Sequence, residues 1–180
     1  MSRLEAVNDV HARLLERWRH SMDLVGPGPI APHFEDAAAS VADLNAAGRW
    51  ADLGSGAGFP GIALAAAWPD AHVSLVESRQ KRAVFLDNVV AEAGLRNAVV
   101  LRQRAEDLAP GFDGLISRAF LPPEAYLKLA RRLLAPQGVA VLLLGDRDYE
   151  APEGWAVVER RRYTVADGGR RRVILRPAGP

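Results

Sequence analysis

An α/β fold is predicted, with a mostly parallel sheet covered by helices on both faces and closed by an antiparallel hairpin. Three observations carry this. From Arg49 onward, short apolar strand segments alternate with helical ones, and a strand–helix–strand crossover implies parallel pairing. The last two strand segments are joined by a turn at Asp167-Gly168-Gly169, so they pair antiparallel. Before Arg49 the pattern is helical only. A length of 180 residues suits one domain that can build its core without a disulfide or metal. It is too short for a (β/α)8 barrel of ~250 residues. Residues 1–47 read as an N-terminal helical extension and 48–180 as the core of that domain.

In chain order, Leu4, Val7, His11, Leu14, Leu15 and Trp18 recur at helical spacing, which predicts an amphipathic helix over 4–18. The segment VGPGPIAP at 25–32 stops it, because glycine and proline break the pattern. A second helix over 33–46 is expected, with Gly48 as its C-cap signal. WADLG is then a short buried strand. Pro60 to Trp68 is a helix with proline in its permitted first turn. HVSLVES is a strand, QKRAVFLDNVVAEAG a helix ending at Gly94, and NAVVLRQ a strand. FDGLISRAF is a strand running into a loop, PPEAYLKLARRLLAPQG a helix over 122–138, and VAVLLLG a strand. GWAVVERRRYTV and GRRRVILRP form the closing pair. No internal repeat is visible. A flavodoxin-like strand order suits the alternation but lacks the hairpin. The hairpin is what S-adenosylmethionine-dependent methyltransferases carry, so a Rossmann-like class I methyltransferase architecture is the expected fold.

Composition narrows the function classes. There is no cysteine, which excludes a disulfide framework, a thiolate metal site and a cysteine nucleophile. The four histidines, His11, His20, His33 and His72, show no metal-ligand spacing, so no metal is expected and surface or capping roles are assigned to them. Ser55 and Ser117 have no histidine base in prospect, which speaks against a hydrolase. The first twenty residues carry charges throughout, unlike a signal peptide. The longest apolar run, at 139–145, is far short of the ~20 residues that span a bilayer. A soluble cytoplasmic protein is expected. Net charge is +1. Residues 1–47 carry four Arg against seven acids, and 147–180 eight Arg against five. The C-terminal end is therefore the electropositive one, a mild pointer to a phosphate-rich partner. Arg160 to Arg162 and Arg170 to Arg172 lie on strands whose alternation sends neighbours to opposite faces. They read as a solvated edge or, functionally, as a phosphate track.

The most informative segment is Asp52-Leu53-Gly54-Ser55-Gly56-Ala57-Gly58-Phe59-Pro60-Gly61, where a strand turns into a helix. Alternate glycines let the backbone pass close to a ligand, and the helix N-terminus offers unpaired N–H groups. Gly56, Gly58 and Gly61 also spell GxGxxG, so a dinucleotide has to be weighed. Glu77, 21 residues beyond Gly56, ends the second strand, where a carboxylate grips ribose hydroxyls of either cofactor. Asp52 separates the two readings, since it would repel a pyrophosphate and attract the ammonium of a methionine moiety. The loop Arg104-Ala105-Glu106-Asp107, after the third strand, lies beside the adenine in this fold.

Together, ADLGSGAGFPGIALA at 51–65, LVESRQKRAVFL at 75–86, RAED at 104–107 and ISRAF at 116–120 resemble the bacterial RsmG (GidB) methyltransferases. RWRHSMDL at 17–24 and HFEDA at 33–37 resemble that family's N-terminal segments, so the likeness covers most of the chain. It implies an enzyme that makes 7-methylguanosine in 16S small-subunit ribosomal RNA with S-adenosyl-L-methionine. Asp52, Gly54, Gly56 and Gly58 would cradle the methionine part, with Ser55 and Phe59 in the same loop. Glu77 would hold the ribose, and Ala105 and Glu106 the adenine. Arg118, Lys81 and Arg104 match basic positions around cofactor and RNA and are the catalytic candidates, Arg118 also touching the cofactor. The partner implied is small-subunit ribosomal RNA or the ribosomal subunit, with no membrane and no metal, the chain acting as a monomer. Three features depart from the family. The fifth strand ends Leu144-Gly145 instead of Lys-Gly, Ala37 replaces a serine, and Arg19, His20 and Asp23 replace the usual asparagine and lysines. They keep two alternatives open: a methyltransferase of this fold acting on another RNA or a small molecule, or a cofactor-binding, RNA-associated protein without turnover.

Overall fold

The computed structural model describes residues 1–166 and 168–179. Two helices lead, α1 (Arg3–Met22) and α2 (Ala31–Val41), followed by β1 (Gly48–Leu53), α3 (Gly61–Ala67), β2 (Ala71–Val76), α4 (Gln80–Glu92) and β3 (Ala98–Leu101). A 3-10 turn at Ala105–Asp107 precedes β4 (Phe112–Ser117), α5 (Pro123–Leu133), β5 (Leu134–Gly145), β6 (Trp155–Val165) and β7 (Gly168–Pro177). They build one seven-stranded sheet of order β3-β2-β1-β4-β5-β7-β6. The first five strands pair in parallel, and β7 enters antiparallel between β5 and the edge strand β6. This is the expected architecture, and the hairpin at its edge rules out the flavodoxin-like alternative. The strand order reverses between β1 and β4, the switch point where open α/β sheets bind ligands beyond their carboxyl ends.

Strand alternation divides the core. Trp50, Val73, Leu75 and Ile116 face one layer with α1 to α4, whereas Ala51, Leu53, Val76 and Leu115 face the other with Tyr126, Leu127 and Ala130 of α5. The leading helices share that first layer, since Val7, Leu14, Leu15, Ala37 and Val41 pack with Ile62 and Phe85. Helix α1 starts on a capping box, Ser2 accepting from the Glu5 amide and the Glu5 carboxylate from the Ser2 amide. It runs four residues beyond the expected stop, because nothing in 19–22 opposes helix before the Gly-Pro segment. No helix among the described residues is long and apolar enough to cross a membrane.

Several boundaries differ from expectation for local reasons. Helix α2 starts at Ala31, since Pro32 sits in the first turn, where no amide partner is needed. Gly48 is not its C-cap but the first residue of β1, with φ +73 and no room for a Cβ, which would lie 2.3 Å from Asp113 Oδ2. Helix α5 stops at Leu133 rather than 138, because the residue before Pro136 is driven from helical to extended backbone. Residues 134–138 instead open β5, with an irregular register against Phe112 and Gly114. In the closing turn, Asp167 lies outside the described residues, and Gly168 and Gly169 already belong to β7.

The arginine-rich hairpin is neither a solvated edge nor uniformly a track. Arg172 is buried, with Nε and Nη2 donating to Glu159 Oε1 at 3.0 and 2.7 Å and Nη1 to Ser40 O at 3.0 Å and to Ala42 O. Its cross-strand neighbour Arg161 donates to Ala42 O (3.1 Å) and Asp43 Oδ2 (2.7 Å). The pair satisfies the last carbonyls of α2, where a helix terminus favours cations, and so clamps α2 to the hairpin.

Candidate functional site

Asp52, the penultimate residue of β1, lies on the face turned to α3 and is fully buried. Its Oδ2 accepts the Gly61 amide at 3.1 Å, and Oδ1 has no hydrogen-bond partner among the described residues. Burial pushes its carboxyl up to about 6, against the pull of the Ser55 hydroxyl, the Gly61 amide and the Arg118 charge. The loop beyond it is held from three sides. The Gly54 and Ser55 amides both donate to Val76 O at 3.0 Å. Glu77 accepts the Gly56 amide on Oε2 (3.1 Å) and the Arg79 amide on Oε1 (2.7 Å). From behind, His11 Nε2 lies 2.7 Å from Ala57 O. That carbonyl can only accept, so Nε2 carries the proton. Burial among Phe34, Phe59 and Phe85 pushes the imidazole down to about 4 and keeps it neutral. His11 is therefore neither a surface nor a capping residue, and its helical spacing with Val7, Leu14 and Leu15 was the signal for its burial.

Gly54 shows why the loop needs glycine. At φ +71, a Cβ there would sit 2.3 Å from Cδ2 of Phe120, whose ring lies against the loop. Above it opens a cavity of about 430 Å³ lined by Gly54, Glu77, Arg82, Arg104, Ala105 and Glu106, among others. Gly56 and Gly58 continue the loop without lining the cavity, and a Cβ on Gly58 would meet Ile62 and His11 on the core side. Ser55 points inward, its hydroxyl donating to Asp52 O at 2.9 Å, and Phe59 lies behind with the histidine cluster. Arg132 of α5 fixes the 3-10 turn, donating to Leu108 O at 3.2 Å and Glu106 O at 2.5 Å. Arg104 pairs with Glu106 at 3.5 Å, both exposed. Lys81 projects from the first turn of α4, exposed and bonded to no described residue. Its neighbour Arg82, not singled out from the sequence, lines the cavity while donating to Asp23 O at the end of α1 (2.9 Å).

A second cavity of about 360 Å³ lies across the segment after β4. Ala119, at φ +55, and Leu121 border both cavities. Arg118 lines the second, with Nη1 donating to Asp36 Oδ2 at 3.1 Å and its guanidinium 5.0 Å from the centre of the Phe59 ring. The Tyr163 hydroxyl donates to the other oxygen, Asp36 Oδ1, at 2.9 Å. Burial and the Asp36 charge push that phenol well up. Tyr126, Leu144 and Arg170 complete the wall. Sequence reasoning passed over Asp36, Tyr126 and Tyr163, and placed Arg170 on a solvated edge or phosphate track rather than at this wall. Asp36 lay in the HFEDA segment already marked; Tyr126, Tyr163 and Arg170 reach the wall through α5 and the β5–β7–β6 pairing. Among the described residues, no group of three or more His, Cys, Asp or Glu side chains could hold a metal.

Comparison with known proteins matches residues 8–162 to the family described as rRNA small subunit methyltransferase G, GidB. The chain is 37% identical over 162 residues to the ribosomal RNA small subunit methyltransferase G of Chromobacterium violaceum, spanning 84% of this chain and 78% of that protein. The protein of the same name from Ralstonia nicotianae is 44% identical over 140 residues, spanning 73% and 63%. Among solved structures, M. jannaschii TYW2 in complex with AdoMet superposes with a TM-score of 0.62 at 16% identity, over 80% of this chain and 74% of that one, a likeness of fold. The chain belongs to the rRNA small subunit methyltransferase G family.

Proposed function

We propose that this protein transfers the methyl group of S-adenosyl-L-methionine to N7 of a guanine in 16S ribosomal RNA, as a cytoplasmic monomer folded as one domain. One observation carries the reading: two cavities share Ala119 and Leu121 after β4, one of them lined by Gly54 and Glu77 and the other bordered by Arg118 and Arg170. The first suits the cofactor. Gly54 and Glu77 line it, Glu77 retains lone pairs for the ribose hydroxyls, and the buried, unpartnered Asp52 Oδ1 lies behind the loop, where its negative charge attracts the methionine ammonium. The bound cofactor supplies an electrophilic methyl on a sulfonium.

The second cavity suits the base. Guanine N7 is a lone-pair acceptor, so no residue has to remove a proton. What the chain must do is hold that lone pair in line with the methyl, about 3 Å away. Arg118 is the positioning cation, itself fixed by Asp36, Tyr163 and Phe59. Arg170 contributes a cation from β7 on the wall where Leu144 stands in place of the family's lysine. Arg104 and Lys81 then attract RNA at the rim of the first cavity. Ser55 and Phe59 shape the loop from behind. Nucleoside mass spectrometry of ribosomal RNA tests this. Cells lacking the gene lose one 7-methylguanosine from the small subunit, and the purified protein restores it. Unchanged 7-methylguanosine overturns the reading.

The buried carboxyl makes cofactor affinity depend on pH. Asp52 titrates at about 6 without ligand, and a neighbouring ammonium favours its ionised form, lowering that value. Affinity is therefore full only well above pH 6 and falls by up to about tenfold per unit below it, the limit for one linked proton. Calorimetry between pH 5 and 7, below the α-amino pKa of roughly 7.7–8.0, should show this slope. Asp52→Asn should flatten it and weaken binding at pH 7. A slope that survives the substitution places the titrating group elsewhere.

A further inference from the structure

We infer that the outer face of the β6–β7 hairpin holds a second RNA-binding site, one for a backbone phosphate flanking the target nucleotide. The inference rests on the RNA reading above and adds a site to it. A cavity of about 210 Å³ opens there, lined by Arg160, Arg162, Arg171 and Tyr149, with Arg161 and Arg172 contributing from beneath. The register sets which guanidiniums face it. Arg162 pairs with Arg171 and Arg160 with Val173, so strand alternation brings Arg160, Arg162 and Arg171 to one face. Arg161 and Arg172 are committed to α2 on the other.

Two buried polar atoms at the cavity are unsatisfied among the described residues, Arg171 Nε and the Tyr149 hydroxyl. Buried polar groups usually find partners, so such orphans ask for a ligand or water. Both can donate, and no carboxylate among the described residues lines the cavity. Asp148 engages Arg171 Nη1, Asp146 lies 3.8 Å from Nε, and both stand 4.0 Å from Arg162. These two acids offset part of the charge and hold Arg171 in place. Arg160 is exposed and bonded to no described residue. Three guanidiniums against two carboxylates leave a net positive face, and planar guanidinium forks match phosphate oxygens.

Position selects RNA backbone as the source of that phosphate. Leu144 lines the proposed base cavity and is the direct cross-strand partner of Arg171. The arginine cavity thus lies on the same carboxyl edge of β5, one to two strands outboard at about 4.8 Å per strand. A strand entering the base cavity would pass it within a few nucleotides.

The test compares wild type with Arg160→Gln/Arg162→Gln on small-subunit RNA or subunits lacking the methyl group. KM for RNA should rise roughly tenfold, the scale of losing charge-assisted hydrogen bonds. The slope of log affinity against log salt should fall by about 0.7 for each phosphate released on single strands, or 0.9 on duplex. Cofactor affinity and kcat should stay at wild-type values and melting temperature close to them, because Arg160 is bonded to no described residue and Arg162 makes only exposed 4.0 Å ion pairs with Asp146 and Asp148. Arg160→Lys/Arg162→Lys should restore the slope but not all of KM. Unchanged KM and slope alongside full wild-type methylation overturn this site and leave the function standing. No wild-type methylation of any small-subunit substrate overturns both.

Discussion

Arg118→Ala lowers kcat for methyl transfer to RNA by about a hundredfold, while cofactor affinity changes little. The guanidinium is fixed by a charged hydrogen bond to Asp36 and by the Phe59 ring, and it borders the proposed base cavity. Its contribution is position, because the positive charge leaving the sulfonium moves onto the purine and a cation cannot stabilise it there. A misplacement of ~1 Å costs about 10² in such in-line reactions. The substitution also takes from Asp36 Oδ2 its partner, at about 1–3 kcal/mol of stability; Tyr163 still satisfies the other oxygen and the cavity admits water. Arg118→Lys separates the roles. It keeps a charge but loses the fork and the stacking, so stability recovers more than kcat does. Single-turnover assays on the folded fraction decide between them. Normal kcat in that fraction makes Arg118 a structural ion-pair partner only.

What was legible in the sequence was local. The βαβ alternation, the glycine loop, Asp52 before it and Glu77 at the next strand end each sit within a few residues of the feature that identifies them. What was not legible depends on residues distant in the chain. Gly48 carries the signature of a helix C-cap, yet its positive φ serves a strand start whose crowding comes from Asp113. Arg172 reads as a surface cation, and only the carbonyls of Ser40 and Ala42, some 130 residues earlier, make it a buried cap. The same holds at the site. The loop was foreseen, but Glu77 accepts two backbone amides there in addition to facing the cavity. The far wall, where α2, α5 and β6 meet through Asp36, Tyr126 and Tyr163, follows from strand pairings that no short motif encodes.

His11→Ala destabilises the protein by about 3–5 kcal/mol near pH 7, the cost of emptying a buried aromatic site, and weakens cofactor binding through the loop. The ring fills space among Phe34, Phe59 and Phe85, and its loss leaves the Ala57 carbonyl without its side-chain donor. The pH dependence identifies the cause. The folded value of about 4 lies below the unfolded 6.5, so the unfolded chain binds the proton first. The contribution of His11 is therefore complete above pH 6.5 and is lost as pH falls toward 4, by about 3 kcal/mol over that window. Asp52 works in the opposite sense, its raised carboxyl relieving a burial cost as pH falls from about 6 to 3.8, so wild-type stability alone changes little there. The gap between wild type and His11→Ala isolates the histidine, because Asp52 is common to both. Urea denaturation from pH 7.5 to 4.5 should show that gap constant down to about pH 6.5 and narrowing below it. A gap that stays constant would mean the imidazole is not held neutral behind the loop.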